Sequence, residues 1–201
     1  MVRLLVFTLI VFSQLFSQEW KETDQLDLSW SLYGGISSMS ATAESYDYET
    51  IDPGRKTGFS FGAIKPISEK LNVGVGYMQR GWTDSAYWPS IDANIDEDWT
   101  ISGIELWATY NLFNIGNNGR FWIGPSYAIL SSVEAEFNIV GGGSVSEDAD
   151  IDDNDLSIMF GVSLPVGSSG AALNVGYQRS IIEVDDFVLF NQFFVDVSFK
   201  L

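Results

Sequence analysis

Leu156-Ser157-Ile158-Met159-Phe160-Gly161-Val162-Ser163-Leu164 alternates strictly between large apolar and small, polar or flexible residues. A period of two is that of a strand with two unlike faces, because successive side chains point to opposite sides of a sheet. No helical face can be drawn through it. The same alternation recurs along the chain at residues 26–32, 59–63, 71–78, 104–112, 121–129, 173–178 and 193–201. Eight such runs, an even number, suit a closed antiparallel barrel.

The lengths of the connections say which kind of barrel. Residues 65–70, 113–120 and 165–170 are short turns, whereas 38–56, 81–98 and 131–155 are long and polar; 180–191 is intermediate. Short turns at one end and long loops at the other is the transmembrane arrangement, with the long loops outside the cell. Those four connections hold 20 of the 27 Asp and Glu residues, while Lys65, Lys70 and Arg120 sit in the short turns. None of the apolar sets carries a charge, which at the lipid midplane would cost roughly 2–4 kcal/mol. The expected fold is therefore all-β, an eight-stranded antiparallel transmembrane barrel with short periplasmic turns and long extracellular loops.

Met1-Val2-Arg3, an uncharged and mostly apolar run over residues 4–12 and Ser17 have the layout of a secretory signal peptide. The apolar run is well short of the roughly 20 residues a membrane helix needs. The expected organisation is a cleaved signal over residues 1–17, a short periplasmic segment over 18–24 and a barrel over 25–201.

Composition narrows the function. The formal net charge is −17, against which nucleic-acid phosphate would be repelled. The chain has no cysteine and no histidine. Thiolate metal sites, disulfides and every Ser-His or Cys-His mechanism are thereby excluded. Nothing marks a catalytic carboxylate pair among 27 acids, so a non-catalytic protein is expected.

Two groups of residues invite a site. In the acidic stretch 147–155, Asp148, Asp150, Asp152 and Asp155 could offer oxygen ligands to Ca²⁺ or another divalent cation, although the Gly and Glu of an EF-hand are missing. A solvated acidic loop explains the same stretch, and no other cofactor is expected. Facing inward are Asp27, Arg80, Glu105, Asp196 and Lys200, charges that at membrane depth must pair inside the barrel. With Trp107, Trp122 and Met159 also inward, the expected lumen is a packed polar plug, since about eight strands enclose only room for side chains. Arg80 and Glu105, near the outer ends of consecutive strands, are the expected ion pair. Tyr46, Tyr48, Trp82, Tyr87 and Trp88 fall in the long loops and are expected at the outer surface as contact residues.

Gly124-Pro125-Ser126-Tyr127-Ala128-Ile129-Leu130 resembles the Gly-Pro-x-x-x-x-Leu strand of the PorT-like group within the outer-membrane β-barrel domain family. The run from Asp155 to Val162 is similar to that group's Asp-hydrophobic-Gly strand, and Asn174-Val175-Gly176-Tyr177 to the next one. The resemblance implies an eight-stranded barrel in the outer membrane of a Gram-negative cell, with membrane lipid and the barrel-assembly machinery as partners and no specific activity. The chain departs from the family at its end, where Leu201 is last and Phe199 supplies the aromatic residue. The function expected is a structural or loop-mediated binding role with an unknown envelope or extracellular ligand. The alternatives are a narrow porin-like channel and a soluble periplasmic barrel carrying a small apolar ligand. The last would need the opposite faces, apolar inside and polar outside.

Overall fold

The computed structural model describes residues 29–43, 54–116, 119–149, 154–167, 170–182 and 188–201. The expected signal peptide, the periplasmic segment, Asp27, Tyr46, Tyr48, Asp150 and Asp152 lie outside them. Among the described residues there are nine strands: β1 (Ser31–Ala43), β2 (Gly54–Pro66), β3 (Leu71–Trp88), β4 (Ala93–Ile115), β5 (Gly119–Ile139), β6 (Ser144–Ala149), β7 (Asp155–Val166), β8 (Ala171–Ser180) and β9 (Val188–Lys200). All pairings are antiparallel, and eight strands close into a ring in which β5 pairs with β7 and β9 with β1. β6 stands outside the ring, paired to the outer part of β5. The ring joins at the chain end, where Ser31 pairs with Lys200 and the Leu201 N–H donates to the Trp30 carbonyl. Closure leaves no open edge within the ring, as lipid requires.

The faces follow the alternation. Leu32, Phe61, Leu106, Phe160, Val175 and Val195 point outward and are exposed. The residues between them, such as Ser126, Ser157, Asn174 and Gln178, point inward and are buried. An apolar exterior around a polar interior is the reverse of what the soluble alternative needs. Aromatic rings border the belt: Phe59, Phe61 and Tyr77 cluster on one side, Phe160, Tyr177 and Phe193 on another. At the short-turn end Lys65 lies over Trp30 at 5.1 Å and Lys70 over Tyr110 at 6.0 Å, amphipathic pairs suited to the membrane–water boundary.

The long connections differ from expectation. β3 and β4 stay in unbroken register from Leu71↔Tyr110 to Trp88↔Ala93, so most of 81–98 is strand. β5 runs on to Ile139, and β6 takes up Ser144–Ala149 within the rest of 131–155. β1 likewise continues past Ser38 to Ala43. β4 alone has 23 residues, more than twice the ~9–11 that cross a bilayer. Beyond Ile104 its outward positions turn polar, at Ser102, Thr100, Asp98 and Asp96. The ladder satisfies its own backbone in water as well as in lipid, and Trp, Thr, Tyr and Ile in these segments favour strands. A tight turn with Asp92 in the left-handed region (φ 51°) closes the β3–β4 hairpin.

Candidate functional site

Inward residues of four strands build a charged layer midway along the lumen. Arg80 on β3 and Glu105 on β4 are each 4% exposed, and Arg80 Nη2 donates to Glu105 Oε2 at 2.6 Å. Glu105 Oε1 accepts from Ser126 Oγ on β5 at 3.0 Å and from Gln178 Nε2 on β8 at 2.8 Å. Both oxygens of this buried carboxylate are thus engaged, the condition on which such a pair is tolerable. Nearer the short turns a second chain of bonds runs from Trp122 Nε1 to Ser163 Oγ, from Ser163 to Asn174 Oδ1, and from Asn174 Nδ2 to Asp196 Oδ1 at 2.6 Å. Lys200, also expected inward, sits exposed at the short-turn rim of the lumen.

On the outer side of the charged layer lie the buried polar Asp155 and Ser180 and, beside them, an apolar plug. Met39, Ala41, Trp82, Ile101, Val133 and Phe190 form one buried cluster, with Trp99 and Leu130 packed against it. Met39 is 0% and Ile101 1% exposed. Trp82 and Trp99, cross-strand partners, stack at 5.3 Å with planes 4° apart, and Phe190 packs on Trp82 at 5.4 Å. Trp82 is therefore no outer-surface contact residue, as expected from a loop, but part of a plug. It continues the inward parity of Met78 and Arg80 one step further along β3. Parity fails on β5, where a bulge opposite Ser102 and Gly103 turns both Leu130 and Val133 inward.

Toward the short turns the interior is not filled. A cavity of about 530 Å³ extends from Arg80, Glu105, Gln178 and Gln192 to the rim at Arg120 and Lys200. In place of the expected fully packed polar interior there is an outer half plugged by the apolar cluster and an open inner half. Four aromatic side chains line the cavity, and each is the cross-strand partner of a glycine: Tyr33 of Gly62, Trp107 of Gly74, Trp122 of Gly161 and Phe194 of Gly176. A Cβ on Gly74 would lie 2.2 Å from the Trp107 ring, and one on Gly176 2.4 Å from Phe194. The rings lie flat over bare backbone, which keeps the space in front of them open.

The outer hairpins form the second surface. Lys56 is ion-paired with Asp98 and donates to Thr100 Oγ1 at 2.6 Å. Acids face each other across the ladder, Asp98 with Glu136 and Glu134 with Asp148. Trp88 and Trp99 both meet Phe137 edge-on, at 6.3 and 5.8 Å. At the hairpin tip Tyr87 is exposed and donates to Asp92 Oδ1 at 2.5 Å, which raises the pKa of its phenol. Of the expected cation ligands, Asp148 is exposed on β6. Asp155 is 2% exposed inside the barrel, where it accepts from Ser157 Oγ at 2.7 Å. Among the described residues no three acidic side chains gather as a metal site.

An apolar belt around a hydrogen-bonded polar lumen defines a membrane-spanning β-barrel. No protein-family model matches the chain and no curated protein matches it. Among solved structures it is similar to Neisserial surface protein A, with 18% identity and a TM-score of 0.56, over 86% of this chain and 97% of that one. It is also similar to Ail, the attachment invasion locus protein of Yersinia pestis, with 12% identity and a TM-score of 0.50, over 88% of this chain and 100% of that one. The chain has the fold of the eight-stranded outer-membrane barrels.

Proposed function

We propose that the chain is an integral outer-membrane protein of a Gram-negative cell that acts through its outer hairpins, neither as an enzyme nor as a pore. The observation that carries this reading is the plug of Met39, Trp82, Ile101 and Phe190, which fills the outer half of the lumen while β3–β4 and β5–β6 project above the belt. With solute movement through the barrel opposed, specificity falls to the projecting surface, where rigid scaffolds commonly carry it. The motifs in β5, β7 and β8 add the PorT-like assignment to the reading, with lipid and the barrel-assembly machinery as its partners.

The absence of cysteine makes a clean labelling test. Ser146→Cys on β6 should react with a membrane-impermeant maleimide on intact cells. Ser68→Cys in a short turn should react only after the outer membrane is permeabilised. The opposite pattern overturns the orientation. For the role itself, residues 84–97 can be replaced by Asn-Gly joining the paired Thr83 and Asp98. This trimmed barrel should keep its heat-modifiable fold yet fail to complement a deletion strain, and full complementation would refute action through this hairpin.

A further inference from the structure

We propose that the inner half of the lumen is a dead-end binding cavity, open to the periplasm, for a small sugar that carries an anionic group. Its volume of about 530 Å³ lies within the range of small-molecule sites, which are often found in the mouths of β-barrels. The outer end is sealed by the apolar plug, and the lining reaches the short-turn rim at Arg120 and Lys200.

The lining carries the chemistry of the ligand. Trp107 and Phe194 offer ring faces to C–H surfaces, and the glycines behind them keep those rings against the wall. Around the rings stand Asn72, Thr109, Asn111, Asn114 and Ser198, groups that both donate and accept hydrogen bonds. A purely apolar ligand would leave these amides and hydroxyls desolvated. A molecule with hydroxyl edges and C–H faces satisfies both kinds of wall.

The blind end holds an independent sign. Arg80 Nε and Gln192 Oε1 are buried without a hydrogen-bond partner, on two residues that are each 4% exposed and line the cavity. Buried polar groups are nearly always satisfied, so these two atoms are open to whatever enters the cavity, water or the polar edge of a ligand. Charge then selects among sugars. In a chain of net charge −17 the lining has three cations, Arg80, Arg120 and Lys200, against two carboxylates. Arg80 and Glu105 neutralise each other, which leaves Arg120 and Lys200 against Asp196. Arg120, exposed at the mouth, is placed to meet a phosphate or carboxylate on the part of the ligand nearest the periplasm.

The test is titration of the detergent-solubilised full chain with glucose 6-phosphate, glucose and AMP, read by calorimetry and tryptophan fluorescence. Glucose 6-phosphate should bind saturably and at least about tenfold more tightly than glucose, the effect of one charge-assisted contact. Arg120→Gln should bring glucose 6-phosphate down to the affinity of glucose, and a tenfold difference that survives the change would overturn the proposal. Ser60→Trp, which fills the cavity from β2, should abolish both; should it not fold, Asn72→Trp near the mouth serves the same purpose. The proposal is overturned if folded protein binds none of the three, which would make this a cavity holding only water. It is equally overturned if AMP binds more tightly than the sugar phosphate, or if the filled variants bind as the unaltered chain does.

Discussion

Glu105→Ala removes one partner from the most buried ion pair among the described residues and leaves the Arg80 guanidinium without its carboxylate. Three hydrogen bonds are lost with it, at 2.6, 3.0 and 2.8 Å. Gln178 and Ser126 keep each other, because Gln178 Nε2 also donates to Ser126 Oγ at 2.7 Å. The cost therefore falls on Arg80, whose Nε already has no partner. Stranding a buried charge costs about 3–5 kcal/mol, which is roughly a 10²- to 10⁴-fold loss in the folding equilibrium. Replacing both residues, as Arg80→Met with Glu105→Leu, removes the charges together and should cost less than Glu105→Ala alone, with a coupling of at least about 2 kcal/mol. The assay is a urea titration of protein folded into lipid vesicles, followed by tryptophan fluorescence and by the fraction of heat-modifiable band. Single effects that simply add in the double variant would refute the reasoning. So would a Glu105→Ala change within about 0.5 kcal/mol of zero, the usual range of an unremarkable surface substitution.

Other positions test other parts of the account. Val175, exposed between Val162 and Val195 on the belt, should cost about 2–4 kcal/mol as Val175→Arg in vesicles, whereas Ser146→Arg on β6 should change stability by less than about 0.5 kcal/mol; equal costs would place the belt elsewhere. Gly74→Ala puts a Cβ 2.2 Å from the Trp107 ring and should destabilise by about 1–3 kcal/mol. Much of that loss should vanish in a Trp107→Ala background, and a loss that persists there would show that the ring is not what the glycine accommodates. The Tyr87 phenol is held above its ordinary 10.0 by its bond to Asp92, so the bond's contribution is complete below pH 10 and fades as pH rises through the shifted value. Asp92→Asn should move the Tyr87 titration downward by NMR, and an unmoved titration would remove Asp92 as the cause.

The ring of eight strands and the face of each residue were readable because lipid enforces alternation wherever a strand crosses it. Arg80 and Glu105 were readable for the same reason: they are charges on inward positions at the same end of neighbouring strands. Outside lipid the constraint disappears. Asp96, Asp98 and Thr100 look like loop residues, yet the ladder continues through them because backbone pairing does not depend on side-chain polarity. Trp82 and Phe190 were hidden by that boundary, since an aromatic residue in a polar stretch reads as surface until the parity of its strand is extended. The bulge in β5 is a different obstacle. It adds a residue without changing composition, so nothing in Leu130-Ser131-Ser132-Val133 announces that both Leu130 and Val133 turn inward. The inner cavity depends on ring orientation over glycine, whereas a count of Trp107 and Trp122 by volume alone fills the lumen.

Planar-bilayer recording of the purified chain bears most directly on a membrane-crossing barrel sealed at its outer half. The packed cluster of Met39, Trp82, Ile101, Val133 and Phe190 predicts protein that inserts, confirmed by protease protection of its belt, and shows no resolved current steps. Removing bulk from the seal with Trp82→Ala and Phe190→Ala together should introduce such steps. A reproducible nanosiemens-scale conductance in the unaltered chain, sensitive to Lys200 or Asp196 at the inner end, would contradict the account.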